Sequence, residues 1–279
     1  MMKIPEDVAV KTARYLSEWG LTENGRPTVT ATSYLFPVVH AGTQAILKIS
    51  ADTDECRGNA LMAWWDGSGA APVINHDRNA ILLERAMGPG SLAQLSLAGD
   101  DDDATRIICV VAAQLHSHRA PCTPDILPLE DWFDDLLRFD ATAETWLTDC
   151  AHEARNLLAE QADHTILHGD LHHGNILDFG PKGWLAIDPK GLRGERAADF
   201  AALFLNPDLA EPDGRHVTAS SHFVCRVQLV STLAGLDPIR LLRWIRAWSA
   251  LSAVWFLEDG LTPLVQRQIV DLASTALER

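Results

Sequence analysis

The sequence predicts an α+β protein of two lobes: a small antiparallel β lobe with one helix over residues 1–86, and a larger, mainly helical lobe over 87–279. Three observations carry this. Short β-branched segments separated by turn residues fill the first part of the chain. Apolar residues at helical spacing dominate the rest. Between them, Met87-Gly88-Pro89-Gly90 is a breaker cluster of the kind that joins lobes.

In chain order, Val29 to Thr32, Leu35 to His40, Thr43 to Ile49 and Ala80 to Leu83 read as strands, and Ala41-Gly42 as a hairpin turn. A helix is expected from about Asp52 to Asp66, capped by Asp52 or Thr53, with Ala60, Leu61, Trp64 and Trp65 on its apolar face. Ile107, Ile108, Val110, Val111 and Leu115 share helical spacing, and Pro121 stops that helix. The run Asp100 to Asp103 before it reads as a solvated helix start, and His116 and His118 as cations near the helix end. Leu129, Trp132, Phe133, Leu136 and Leu137 form another apolar stripe. Helices are expected over Ala141 to Gln161, Pro238 to Leu257 and Pro263 to Leu277, and short strands at Thr165 to His168, Ile176-Leu177 and Trp184 to Ile187.

Composition narrows the function. The 279 residues are 47% apolar and 22% charged, ordinary globular usage. Lys plus Arg number 23 and Asp plus Glu 38, a formal charge of −15. Such a surface repels nucleic acid and anionic membranes and attracts cations. Cys56, Cys109, Cys122, Cys150 and Cys225 are widely spaced and form no CxxC pair, so reduced thiols in a cytoplasmic protein are expected. The opening Met1-Met2-Lys3-Ile4-Pro5 lacks the apolar stretch of a signal peptide. A monomer or weak homodimer acting on a small cationic molecule is the expectation.

The chemistry is concentrated in Ile166-Leu167-His168-Gly169-Asp170-Leu171-His172-His173-Gly174-Asn175, followed by Ile187-Asp188-Pro189. Phosphoryl transfer needs a carboxylate beside the attacking hydroxyl, oxygen ligands for Mg²⁺ and a cation on the phosphates. Asp170, in a loop after a strand, suits the base. Asn175 and Asp188 suit the metal. The spacing is that of a kinase catalytic loop and its metal-binding Asp.

These residues resemble the aminoglycoside phosphotransferase family, which has a protein-kinase-like fold. Gly169 stands where protein kinases have Arg, and Asp188-Pro189 replaces Asp-Phe-Gly. Gly183-Trp184-Leu185, Gly191-Leu192, Gly194-Glu195, Leu127-Pro128 before Trp132-Phe133, and Leu251-Ser252-Ala253 before Trp255 resemble the streptomycin 6-phosphotransferase and hydroxyurea-kinase branch. The resemblance implies a kinase using ATP, with GTP as the alternative, and Mg²⁺. It implies Lys48 on the α and β phosphates and Glu55 as its partner. It also implies that the backbone at Glu84 to Ala86 meets adenine and that the turn at Thr32-Ser33-Tyr34 covers the phosphates, although no G-x-G-x-x-G is present. The implied reaction is phosphorylation of a hydroxyl on an aminoglycoside, foremost the 6-hydroxyl of streptomycin, which confers resistance.

For a polycationic acceptor, Asp131, Asp134, Asp135, Glu258 and Asp259 are candidate contacts, since carboxylates pair bidentately with guanidinium groups. Trp255 is a candidate wall, although Trp244, Trp248 and Trp255 share a helical face that also suits core packing. Glu195 and Asp199 read as supports for the metal loop. Three other readings stay open: a kinase for hydroxyurea, a sugar amine or an amino alcohol; a non-catalytic binder; and a zinc hydrolase built on His168, His172 and His173.

Overall fold

The computed structural model describes residues 4–30, 32–50, 52–119, 124–140, 144–209 and 220–279. Pro121, Cys122 and Ala141, and Met1 to Lys3 in the N-terminal reading, lie outside the described residues.

The chain begins with a helix that the sequence reading did not include, α1 (Glu6–Glu18). The N-terminal lobe therefore carries two helices rather than one. Then come β1 (Leu21–Glu23), β2 (Thr28–Val29), β3 (Ser33–His40), β4 (Thr43–Ser50), α2 (Thr53–Trp65), β5 (Val73–His76) and β6 (Ala80–Glu84). The strands form one antiparallel sheet in the order β1-β3-β4-β6-β5, with β2 on β3. Side chains alternate across a strand, and the sheet uses both faces. Ala80 and Leu82 join a core with Val8 and Tyr15 of α1. Ile81 and Leu83 join a second core with Leu61, Met62 and Trp65 of α2. Burial on both sides explains the unbroken apolar run of β6.

Beyond Met87 to Gly90 lie α3 (Leu92–Leu97) and α4 (Asp101–Ser117). The linking segment is pinned to the far lobe, because the Gly88 and Gly90 amides donate to the Asp178 carbonyl and carboxylate. After β7 (Leu127–Pro128), α5 (Leu129–Trp132), α6 (Asp134–Arg138) and α7 (Thr145–Ala159) come β8 (His164–Leu167), β9 (Ile176–Asp178), β10 (Trp184–Ala186) and β11 (Leu192–Glu195). A buried 3₁₀ stretch, Arg196–Leu205, precedes α8 (Ser220–Ala234), α9 (Pro238–Glu258) and α10 (Leu264–Leu277). β9 and β10 form a hairpin, and β11 lies between β7 and β8. This second lobe shares its core with α2, so α2 belongs to the packing of both lobes.

Two polar readings change. Asp101 is not a solvated helix start: it is paired with the buried Arg226 of α8, which also donates to the Leu203 and Asn206 carbonyls at 2.8 and 2.7 Å. His116 is not a solvent-facing cap either, because its Nε2 meets the buried Asp199 at 2.7 Å. Trp244 and Trp248 are core residues packed around Phe133. The described cysteines are free thiols, and no described helix is long and apolar enough to cross a membrane.

Candidate active site

β8 delivers the chain into the loop at His168, and the loop is held from beneath by one buried carboxylate. Asp199 accepts the backbone amides of His168 and Gly169 at 3.0 and 2.7 Å and the His116 ring at 2.7 Å. Burial opposes the charge on Asp199, but the His116 hydrogen bond and the Gly169 amide hold its pKa below the usual range. The His168 ring is fully enclosed. Its Nε2 donates to the Ile187 carbonyl at 2.9 Å and its Nδ1 accepts the Asp170 amide at 3.2 Å. Burial lowers its pKa, which keeps the ring neutral as this pairing requires. Gly169 turns the loop at φ +80, and a Cβ there would lie 2.7 Å from Leu192 Cδ1, so the position excludes a side chain.

Asp170 follows. Asn175, in the 3₁₀ turn His173–Asn175, donates Nδ2 to the Asp170 carbonyl at 2.9 Å and to Oδ2 at 3.0 Å. His172 Nε2 stands 3.6 Å from Oδ1. Burial pushes the Asp170 carboxyl up, but His172 and Lys190 outweigh it and hold the pKa at about 2. The histidines do not form a metal site: both His168 nitrogens have protein partners, and His172 Nδ1 accepts the Gly174 amide at 3.0 Å.

Two residues beyond the β9–β10 hairpin stands Asp188, whose φ of 61 is left-handed, a conformation Asp tolerates better than most residues. Its carboxylate pairs with Lys48 of β4. Lys48 also pairs with Glu55 in the first turn of α2. Glu55 is only 4% exposed, yet it accepts Thr32 Oγ1 at 2.9 Å, Ser33 Oγ at 3.0 Å and Lys190 Nζ at 3.4 Å. Burial acts to raise its pKa, and Lys48 and Lys190 bring it down to about 2. α2 reaches this place through Gly58, one turn beyond Glu55. A Cβ on Gly58 would lie 2.1 Å from the Pro189 carbonyl, so the helix backbone rests directly on the Asp188–Lys190 segment. Asn59 Nδ2 donates to Ser50 Oγ at 2.7 Å and fixes α2 to β4.

Two clefts flank this cluster. One, of about 280 Å³, is mostly apolar, with Leu35, Ile46, Leu83, Leu177, Phe179 and Ile187 in its walls and Lys48 and Asp188 at its end. Ser33, Glu84 and Ala86 also line it. The Glu84 side chain is paired with Lys182, and the Ser33 hydroxyl is committed to Glu55. The other cleft, of about 370 Å³, is acidic and lies between the lobes, with Asp52 and Asp54 on one side and Asp131 and Asp135 on the other. Trp255 lines it and donates its indole N–H to Asp135 at 2.8 Å. Asp134 turns away to Arg138 at 2.8 Å. Glu258 and Asp259 are exposed at the end of α9 and do not line the cleft. A larger groove of about 850 Å³ opens beside Trp64, Arg119 and Gln161, away from Asp170. Asp52, Asp54 and Lys190 were not read from the sequence as site residues. The one local signal for the first two was the helix start itself, since charged Asp at a helix N-terminus reads as a cap.

The chain as a whole is similar to known proteins. Residues 18–260 match the family described as aminoglycoside/hydroxyurea antibiotic resistance kinase. The chain is 44% identical over 264 residues to the Streptomycin 3''-kinase of Klebsiella pneumoniae, covering 95% of this chain and 98% of that protein. It is 30% identical to the Streptomycin 6-kinase of Streptomyces griseus, covering 92% and 85%. Among solved structures, the apo form of a thermostable mutant of the aminoglycoside phosphotransferase APH(4)-Ia superposes with a TM-score of 0.64. Its sequence identity is 12%, and the match covers 94% of this chain and 97% of that one.

Proposed function

The chain belongs to the aminoglycoside/hydroxyurea antibiotic resistance kinase family, and from that membership we propose that it transfers the γ-phosphoryl group of ATP to a hydroxyl of streptomycin. The observation that carries the reading is the clustering of Asp170 with Asn175 and of Asp188 with Lys48, beside an apolar cleft lined by Lys48 and Asp188 and an acidic one lined by Glu55 and Lys190, which pair with them. The apolar cleft takes adenine against Leu83 and Ile187, with the backbone at Glu84 to Ala86 along its edge. A site walled by Asp52, Asp54, Asp131 and Asp135 favours a large polycation over a small neutral metabolite. Identity of 44% to a 3''-kinase against 30% to a 6-kinase favours the 3''-hydroxyl over the 6-hydroxyl expected from sequence.

Asn175 and Asp188 fit Mg²⁺. Asn175 commits Nδ2 to Asp170, which leaves Oδ1 as the atom to face a cation, and Asp188 adds a carboxylate. Hard oxygen donors that leave room for phosphate oxygens are the set Mg²⁺ prefers. When bound, the metal neutralises charge on the phosphates. The rest is this chain's work. Lys48 holds the α and β phosphates. The ionised Asp170 carboxylate accepts a hydrogen bond from the acceptor hydroxyl, aims its oxygen at the γ-phosphorus and takes its proton. Residues 1–86 and 87–279 act as the two lobes that close on the substrates.

The test is ATP turnover with Mg²⁺, with and without streptomycin, beside Asp170→Asn. Streptomycin-dependent turnover that falls ~10²–10⁴-fold in the variant, with nucleotide binding kept, is expected for loss of a positioned base. Phosphorus and proton NMR of the product reads the position. ATP binding without stimulation by streptomycin would sink the acceptor assignment.

A further inference from the structure

The acidic cleft contains one group of the wrong sign. Asp52, Asp54, Glu55, Asp131 and Asp135 line it, and Lys190 is the single cation among its described lining residues. A lysine facing a polycationic acceptor gains nothing from that acceptor. Its partners in this structure are the carboxylates of Glu55 and Asp188, and the further anion that arrives in the working complex is the phosphoryl group in transit.

Geometry supports this. The Lys190 backbone is tied to the catalytic loop: its amide donates to the His168 carbonyl at 2.7 Å, and its Cβ would stand 3.2 Å from a Cβ at Gly169. Its tip is loosely held, 3.4 Å from Glu55 Oε1 and 4.0 Å from Asp188 Oδ2. Lys48, by contrast, is clamped between Glu55 and Asp188 on the nucleotide side. The loop from Asp170 to Asn175 contains no Lys or Arg. On the acceptor side, therefore, the ammonium that faces the cleft is that of Lys190.

We propose that Lys190 is a further catalytic residue, whose ammonium leaves Glu55 to donate hydrogen bonds to the non-bridging oxygens of the γ-phosphoryl group as it passes to the acceptor. The assignment rests on the kinase reading above. In the step, the acceptor oxygen forms a bond to the γ-phosphorus while the bond to the β,γ-bridging oxygen breaks. ADP leaves with that electron pair, the hydroxyl proton goes to Asp170, and Lys190 keeps its own protons. Cationic donors aimed at charge that grows during reaction lower the barrier without tightening ground-state binding.

Lys190→Met, Lys190→Gln and Lys190→Arg test this in the full-length enzyme. Each is assayed for transfer to streptomycin and for slow ATP hydrolysis with water as acceptor. The neutral variants should lose ~10²–10³-fold in kcat, the scale for removing one such donor, with both KM values within threefold. Hydrolysis should fall by the same factor, and Arg should recover at least tenfold. Unchanged kcat in whichever neutral variant melts as the wild type does would overturn the proposal. So would a loss confined to the streptomycin KM with hydrolysis intact. If the wild type ignores streptomycin, the acceptor reading fails alone, and the hydrolysis arm still decides Lys190.

Discussion

Asp170 is held as a carboxylate rather than poised as a base near neutrality. Burial works against its charge, but His172 and Lys190 bring its pKa to about 2. As the proposed base, so weak a carboxylate suits a loose transition state in which positioning matters more than early proton removal. The sign of the pH dependence follows. Protonation removes the hydroxyl's acceptor only as pH falls toward that value, so Asp170 contributes no acid limb to kcat between pH ~5 and ~8. A kcat profile with an acid limb near pH 6 that persists in His172→Gln would contradict this. At this scale, the placement of Asp170, Asn175 and Asp188 was legible because their spacing is local: a loop and the hairpin after it bring them together. Lys190 was not legible. Its partner Glu55 lies 135 positions away in sequence, and only the docking of α2 reveals that two lysines share that carboxylate.

The element that decides the site is α2. It meets β4 through Asn59 and the Asp188–Lys190 segment through Gly58, and so delivers Glu55 to both lysines. Helix propensity alone makes Gly58→Ala a gain of about 1 kcal/mol. The backbone contact reverses the sign, because a Cβ at 2.1 Å from the Pro189 carbonyl forces the helix off that segment. We expect Gly58→Ala to lower Tm and to reduce kcat about 10²-fold, the cost of an ångström-scale misplacement. A variant that is more stable and fully active, read by thermal melting and steady-state rates, would refute the close docking. Of the longer helices, α4, α7, α9 and α10 were legible from the sequence, whereas the 15-residue α8 was not read. The short strands β1 and β5 were not, because three or four residues with little burial carry no clear alternation. The 3₁₀ stretch Arg196–Leu205 escaped for the opposite reason: after Arg196 it is buried throughout, so no face differs from another. α1 buries only Val8, Thr12 and Tyr15 and leaves Val10 exposed, too thin a stripe to read.

For the whole molecule, the charge of −15 and the placement of carboxylates act on the two substrates with opposite sign. A polycationic acceptor approaching the cleft between Asp52, Asp54, Asp131 and Asp135 is drawn in by both the global field and the local walls. ATP, an anion, approaches against the same global field and is favoured locally by Lys48 and Arg85, the cations that line the apolar cleft. Salt screens the long-range part, since the Debye length falls from about 10 Å at 0.1 M to about 3 Å at 1 M. Raising ionic strength should therefore lower kcat/KM for streptomycin several-fold while leaving kcat/KM for ATP unchanged or higher. Substitution of Asp54 and Asp131 by Asn should flatten only the streptomycin slope, because these residues supply the local part of its attraction. Measuring both second-order rate constants across a salt series checks this. Parallel slopes for the two substrates would mean that the acidic surface does not select the acceptor and that the cleft's carboxylates serve the fold instead.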